Sequence, residues 1–134
     1  VRESTDGNRR YRAAPPVPAT RFVEVEAALG TLLPDPLVSL YRANDGVFDL
    51  SGQWWVIWPL ARIVEAKAWL ATFDGYLDRW IPFGDDGTGD PFCFHRENEA
   101  ITRLTVIDGA HEPFAQGLTD FWTMATMIDP GDRP

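Results

Sequence analysis

One cysteine and two histidines are the nearest this sequence comes to a reactive centre. Cys93 and His95 flank Phe94 in a strand-like run, so they share a sheet face, and His111 would have to converge on them from elsewhere. A thiolate beside an imidazole makes a nucleophile and its base, and three such ligands suit zinc. Buried cysteine, however, commonly packs as a small hydrophobe, and His111-Glu112-Pro113 reads as a turn, so ordinary packing is expected. The sharper cluster is Asp85-Asp86-Gly87-Thr88-Gly89-Asp90, with three carboxylates in six residues. Such acids suit a hard cation or acid–base work, yet the alternating acids and terminal Glu of an EF-hand calcium loop are missing. Three readings stay open: a Gly-rich hairpin connection whose Asp side chains bond their own backbone, an acidic hot spot for a basic partner, and, behind both, a metal or catalytic site. The sequence also lacks a phosphate-cradling Gly loop with Lys, a Gly-x-Ser-x-Gly elbow and a His-Glu-x-x-His helix. No catalytic residue, metal or cofactor is assigned, and the expectation is a protein that is not an enzyme.

Elements that would position these residues follow from the periodicity. Phe22, Val25, Leu29 and Leu32 or Leu33 form a helical stripe after Thr20, a plausible N-cap. Asp35-Pro36 opens a second helix carrying Leu37, Leu40 and Tyr41, which Asn44-Asp45-Gly46 stops. Beyond Gly46 the period changes to two. Residues 47–50 and 53–58 read as strands around a Ser51-Gly52 turn. Ile63, Ala66, Leu70 and Phe73 return to helical spacing, residues 80–83, 92–95 and 100–107 read as three more strands, and Thr119 caps a last helix with Phe121, Met124, Ala125 and Ile128 on one face. The expected fold is α+β, a mainly antiparallel sheet of about five strands flanked by helices. Alternation puts Trp54, Val56 and Trp58 on one face and Trp55 and Ile57 on the other, so that strand is either packed on both sides or offers one aromatic face to a partner. Residues 1–19, rich in Arg and then in Pro, are expected to be a flexible N-terminal arm, residues 20–128 a single domain, and 129–134 a C-terminal tail.

Charge narrows the partners. The net charge is −8, and because residues 1–12 hold four Arg against two acids, residues 13–134 carry −10. An acidic body repels phosphate, so nucleic acid is excluded as a partner and a cationic surface is favoured. No apolar run approaches the roughly 20 residues of a membrane span and no basic-then-apolar leader opens the chain, which points to a cytoplasmic protein without a membrane partner. A single cysteine fits a reducing compartment.

Leu33-Pro34, Tyr41, Asn44-Asp45-Gly46, Trp58-Pro59-Leu60 with Ile63, Phe83-Gly84-Asp85 with Gly87 and Gly89-Asp90, Phe94, and Leu118 with Phe121 occur in an order that resembles the SUKH superfamily (Smi/Knr type). This is the family of the fungal cell-wall-assembly regulator and its bacterial relatives. The resemblance spans residues 20–128. Members often carry Gly-Gly after the Asn where this chain has Asp45-Gly46. It implies an α+β domain with a mainly antiparallel sheet, no shared catalytic centre, and in bacteria a common role as an immunity protein that binds a polymorphic toxin. The implied partner is a cognate toxin domain, for example a basic nuclease. The alternatives are a regulatory or scaffold domain docking a housekeeping partner and, behind it, a small metal-dependent enzyme. Asp49, Trp55, Asp85, Asp86 and Asp90 are the residues expected to meet the partner, with Asp74 and Asp78 adding acid near Trp69, Tyr76 and Trp80.

Overall fold

The computed structural model describes residues 2–6 and 9–126. Among them are eight strands and four helices, in the order β1 (Arg2–Asp6), β2 (Arg9–Ala13), α1 (Ala19–Leu29), α2 (Asp35–Ala43), β3 (Val47–Asp49), β4 (Trp54–Ile57), α3 (Leu60–Leu70), β5 (Trp80–Asp85), β6 (Pro91–His95), β7 (Ile101–Thr105), β8 (Ala110–Ala115) and α4 (Leu118–Thr126). The α+β class and the antiparallel pairing are as expected. The strands, however, form two four-stranded sheets, β1-β2-β3-β4 and β5-β6-β7-β8, rather than one sheet of about five. Two segments account for the surplus. His111-Glu112-Pro113 lies in β8, an edge strand, where a residue without an N–H is tolerated. The other is the N-terminal segment.

Residues 9–17 are not an unattached arm. Tyr11 pairs with Asp49 and Ala13 with Val47, so β2 extends the sheet, and Tyr11 and Val17 are buried. The tail expected at 129–134 lies outside the described residues. The helical hairpin at 20–45 is present, although α1 and α2 begin just after Pro18 and Pro34 instead of being capped by Thr20 or Asp35. Phe22, Val25 and Leu29 are buried along α1, Leu37 and Tyr41 along α2, and Leu60, Ile63, Ala66 and Leu70 along α3. Glu26 fixes the α1–α2 connection by accepting the Leu33 N–H at 2.7 Å. Phe121 of α4 packs edge-on against Phe83 and Phe92, with ring centroids 5.0 and 4.8 Å apart.

The two sheets meet where β4 runs into β5. Trp58 N–H donates to the Phe83 carbonyl at 2.8 Å, and the buried Tyr41 hydroxyl donates to the Trp58 carbonyl at 2.8 Å. Close approach is possible because residue 84 is glycine: a Cβ there would lie 2.0 Å from the Val56 carbonyl oxygen. Asp45 joins the same node by accepting the Leu60 N–H at 2.7 Å, capping α3 from the end of α2. Gly46 follows with φ +93°, and a Cβ on it would sit 2.8 Å from the Pro59 nitrogen. Among the described residues no helix is long and apolar enough to cross a membrane.

Tyr41→Phe should therefore lower stability by about 1–2 kcal/mol, the cost of a lost buried hydrogen bond, while leaving the circular dichroism of the folded state unchanged. Gly84→Ala should cost more, because the added methyl meets backbone and not a movable side chain. Urea unfolding of both variants measures the difference.

Candidate functional site

The turn joining β5 to β6 turns its acids inward. Asp85 accepts the Trp58 indole N–H at 2.9 Å and the Gly87 N–H at 2.7 Å. Burial pushes its carboxyl up, an effect that these two donors and the nearby Arg62 partly offset. Asp86, only 3% exposed, accepts the Thr88 N–H at 2.9 Å as well as the Thr88 hydroxyl. Its other oxygen faces Arg103 at 3.4 Å, and Arg103 in turn pairs with Glu112 at 2.8 Å. Asp90 accepts the Val106 N–H at 3.1 Å, lashing this turn to the one between β7 and β8. The self-bonding turn foreseen from the sequence is what the geometry contains.

Asp49 is fully buried and builds the β3–β4 turn by accepting the Ser51 and Gly52 N–H groups, each at 2.8 Å. Its register partner Trp54 sends an indole N–H to the Asp85 carbonyl at 3.1 Å. Asp49, Asp85, Asp86 and Asp90 are thus gathered at one end of the molecule by three turns. Trp55 is not with them. It pairs with Phe48 across β3 and β4, the two rings edge-on at 5.1 Å. Exposed at the gathered end is Ile107, 94% accessible, beside Asp108. On the flank, Trp69 of α3 is 46% exposed and edge-on to Trp58, and the Arg62 guanidinium lies 5.6 Å from the Trp58 ring. Trp69 was among the aromatic residues placed near the partner from sequence, whereas Ile107 and Arg62 were not. Two signals were there to read: Ile107 precedes the Asp108-Gly109 turn, where a side chain has no sheet face, and Trp69 lies off the Ile63-Ala66-Leu70 stripe.

Cys93, His95 and His111 do not make a reactive centre. Burial pushes the Cys93 thiol far up, so it stays protonated. His95 uses Nδ1 to accept the Glu97 and Asn98 N–H groups, and its ring meets the edge of Trp80 at 4.5 Å. His111 stacks on the same indole at 4.1 Å with its Nδ1 2.7 Å from the Thr102 hydroxyl. Trp80 therefore takes a ring contact from each imidazole. Among the described residues no group of three or more His, Cys, Asp or Glu is placed to hold a metal ion. Asp74 is spent on Arg79 at 2.7 Å.

The family model for the SMI1 / KNR4 family (SUKH-1) matches residues 16–123. The chain belongs to the SUKH-1 family. No curated protein matches it. In this SUKH-1 domain the residues that carried the resemblance meet around one point: Tyr41, Asp45, Gly46, Trp58, Leu60, Phe83, Gly84 and Asp85 are joined by the bonds and close approaches at the sheet junction. Their shared role is to fix the domain's architecture.

Two measurements follow. Asp86→Ala removes a buried acceptor from Thr88 and Arg103 and should cost about 1–3 kcal/mol in urea unfolding, whereas Asp108→Ala at an exposed turn position should cost far less. The second concerns pH. His111 is held below the ordinary histidine value, first by burial and then by Arg79 and His95, with Asp74 opposing. The unfolded chain therefore takes up a proton more readily than the folded one, so stability falls as pH drops from about 6.5 towards the depressed folded value. His111→Gln should flatten that part of the stability–pH curve.

Proposed function

We propose that this SUKH-1 domain is an immunity protein of a bacterial cell, binding a polymorphic toxin domain in the cytoplasm and keeping it inactive by covering it. Membership of the family over residues 16–123 carries the reading, since binding a partner protein is what the family is known for. The charge and the gathered end of the molecule give it a mechanism. A body carrying −10 draws a basic toxin, such as a nuclease, into encounter. Asp85 and Asp90 then contribute mainly long-range field, because Asp85 already accepts from the Trp58 indole and the Gly87 N–H, and Asp90 from the Val106 N–H. Short-range affinity falls to what this end of the molecule displays, Ile107 of the β7–β8 turn above all, with Trp69 and Arg62 on its flank. Trp55 is kept as a secondary contact on the open side of its pair with Phe48. Chemistry is no part of this role.

The test is co-purification with the product of a neighbouring toxin gene, followed by Ile107→Asp. A fully exposed position tolerates the change, so melting should be unaltered while the dissociation constant rises tenfold or more, about 1.4 kcal/mol, and protection of a toxin-expressing cell is lost. Raising salt should slow association of both proteins alike. Unchanged affinity would remove this end from the interface, and failure to retain any toxin would remove the immunity reading itself.

A further inference from the structure

The family match begins at residue 16, and the chain's attachment to the body changes character close to the same place. From Ala14 onward the backbone is pinned. Ala14 N–H donates to the Gly46 carbonyl at 3.1 Å, Asp45 N–H to the Pro15 carbonyl at 2.9 Å, and Val17 N–H to the Tyr41 carbonyl at 3.0 Å. Before Ala14 the β1–β2 hairpin meets the rest of its sheet along one short edge. Its register pairs there are Tyr11 with Asp49, Arg12 with Phe48 and Ala13 with Val47, and β1 pairs with β2 alone. Tyr11 supplies the buried anchor, edge-on to Trp122 at 5.2 Å. Beside it runs a groove of about 280 Å³ bordered by Leu40, Val47, Ile57, Leu118 and Phe121. The hairpin is also the basic part of the molecule, with four Arg in residues 1–12 against a body of −10.

We propose that the edge of β3, with the groove beside it, is a docking site for a basic extended strand bearing one aromatic side chain, and that β2 is its resident occupant, a strap that yields to such a strand from a partner. Each part of the site answers a feature of that ligand. The edge of β3 supplies ladder hydrogen bonds to an extended backbone, as in strand addition generally. An aromatic ring at the Tyr11 register packs against Trp122 and walls the groove. Alternation leaves the intervening position, Arg12 here, on the exposed side, where a basic residue adds attraction to the acidic body. The segment from Ala14, bonded to Gly46, Asp45 and Tyr41, keeps α2 tied to the chain when the hairpin leaves, and the contact given up is that of Tyr11 with Trp122 of α4. This site runs along β2 and β3 and adjoins, at Asp49, the turn end assigned above to the toxin.

Hydrogen exchange on the full chain is the direct test. Amides of β2 should exchange roughly 100-fold faster than those of β6 and β7, because the strap opens without global unfolding. A fluorescent peptide of residues 1–13 should bind the full chain, and Tyr11→Ala in the peptide should abolish that binding. Tyr11→Ala in the chain should instead tighten it roughly tenfold by weakening the resident strand. Exchange of β2 at the same rate as β6 would overturn the proposal, and so would absence of peptide binding to a chain whose β2 amides exchange fast. Should the Tyr11→Ala chain fail to fold, exchange and peptide binding on the unaltered chain still decide.

Discussion

A phenol hydroxyl holds the two sheets in register. Tyr41 reaches from α2 to the carbonyl of Trp58, whose own N–H bonds the first strand of the other sheet and whose indole bonds Asp85. One tryptophan therefore has its carbonyl fixed by the helical layer, its amide by the second sheet and its ring by a turn. Burial, and behind it the charge of Asp45, pushes the Tyr41 phenol well above its ordinary value, so it remains a donor throughout the physiological range. Were that hydroxyl absent, β4 and β5 would meet through thinner contacts, since Gly84 and Gly46 allow close approach but do not by themselves provide attraction.

Acidic residues serve this molecule twice. Asp45, Asp49, Asp85, Asp86 and Asp90 each accept a backbone N–H near a turn or helix start, work that fixes local geometry. Their formal charge nevertheless remains in the field of the whole body, where it acts at distances over which no single contact matters. The same side chains thus fix the turns at one end of the molecule and colour its potential, while apolar Ile107 stands exposed beside them. A rigid turn limits the conformational entropy lost on docking.

Helices and the strands from Val47 to Thr105 were legible because their apolar spacing is local and strong, as in Phe22-Val25-Leu29 and Ile63-Ala66-Leu70. Arg9 to Ala13 was not: a single tyrosine among arginines gives too little alternation, and its partner β3 lies far along the chain, so only the assembled tertiary structure makes it a strand. The β8 strand was hidden by Pro113. For the site, the acidic turn could be found but not its orientation. Spacing puts Asp86 in a loop; it says nothing of Arg103, which β7 brings to it from the far side of a hairpin. Ile107 was absorbed into the preceding strand, which ends at Thr105.

Pro113 has a meaning beyond the count of strands. It lies in β8, an outer strand of the second sheet, next to Glu112, whose side chain is 55% exposed. An unpaired strand edge invites another sheet to stack onto it, the first step towards insoluble β-rich assemblies. A residue with no N–H interrupts that template, and a neighbouring charge makes it poorer still. The proline that disguises β8 as a turn also makes that edge a poorer template for a further strand.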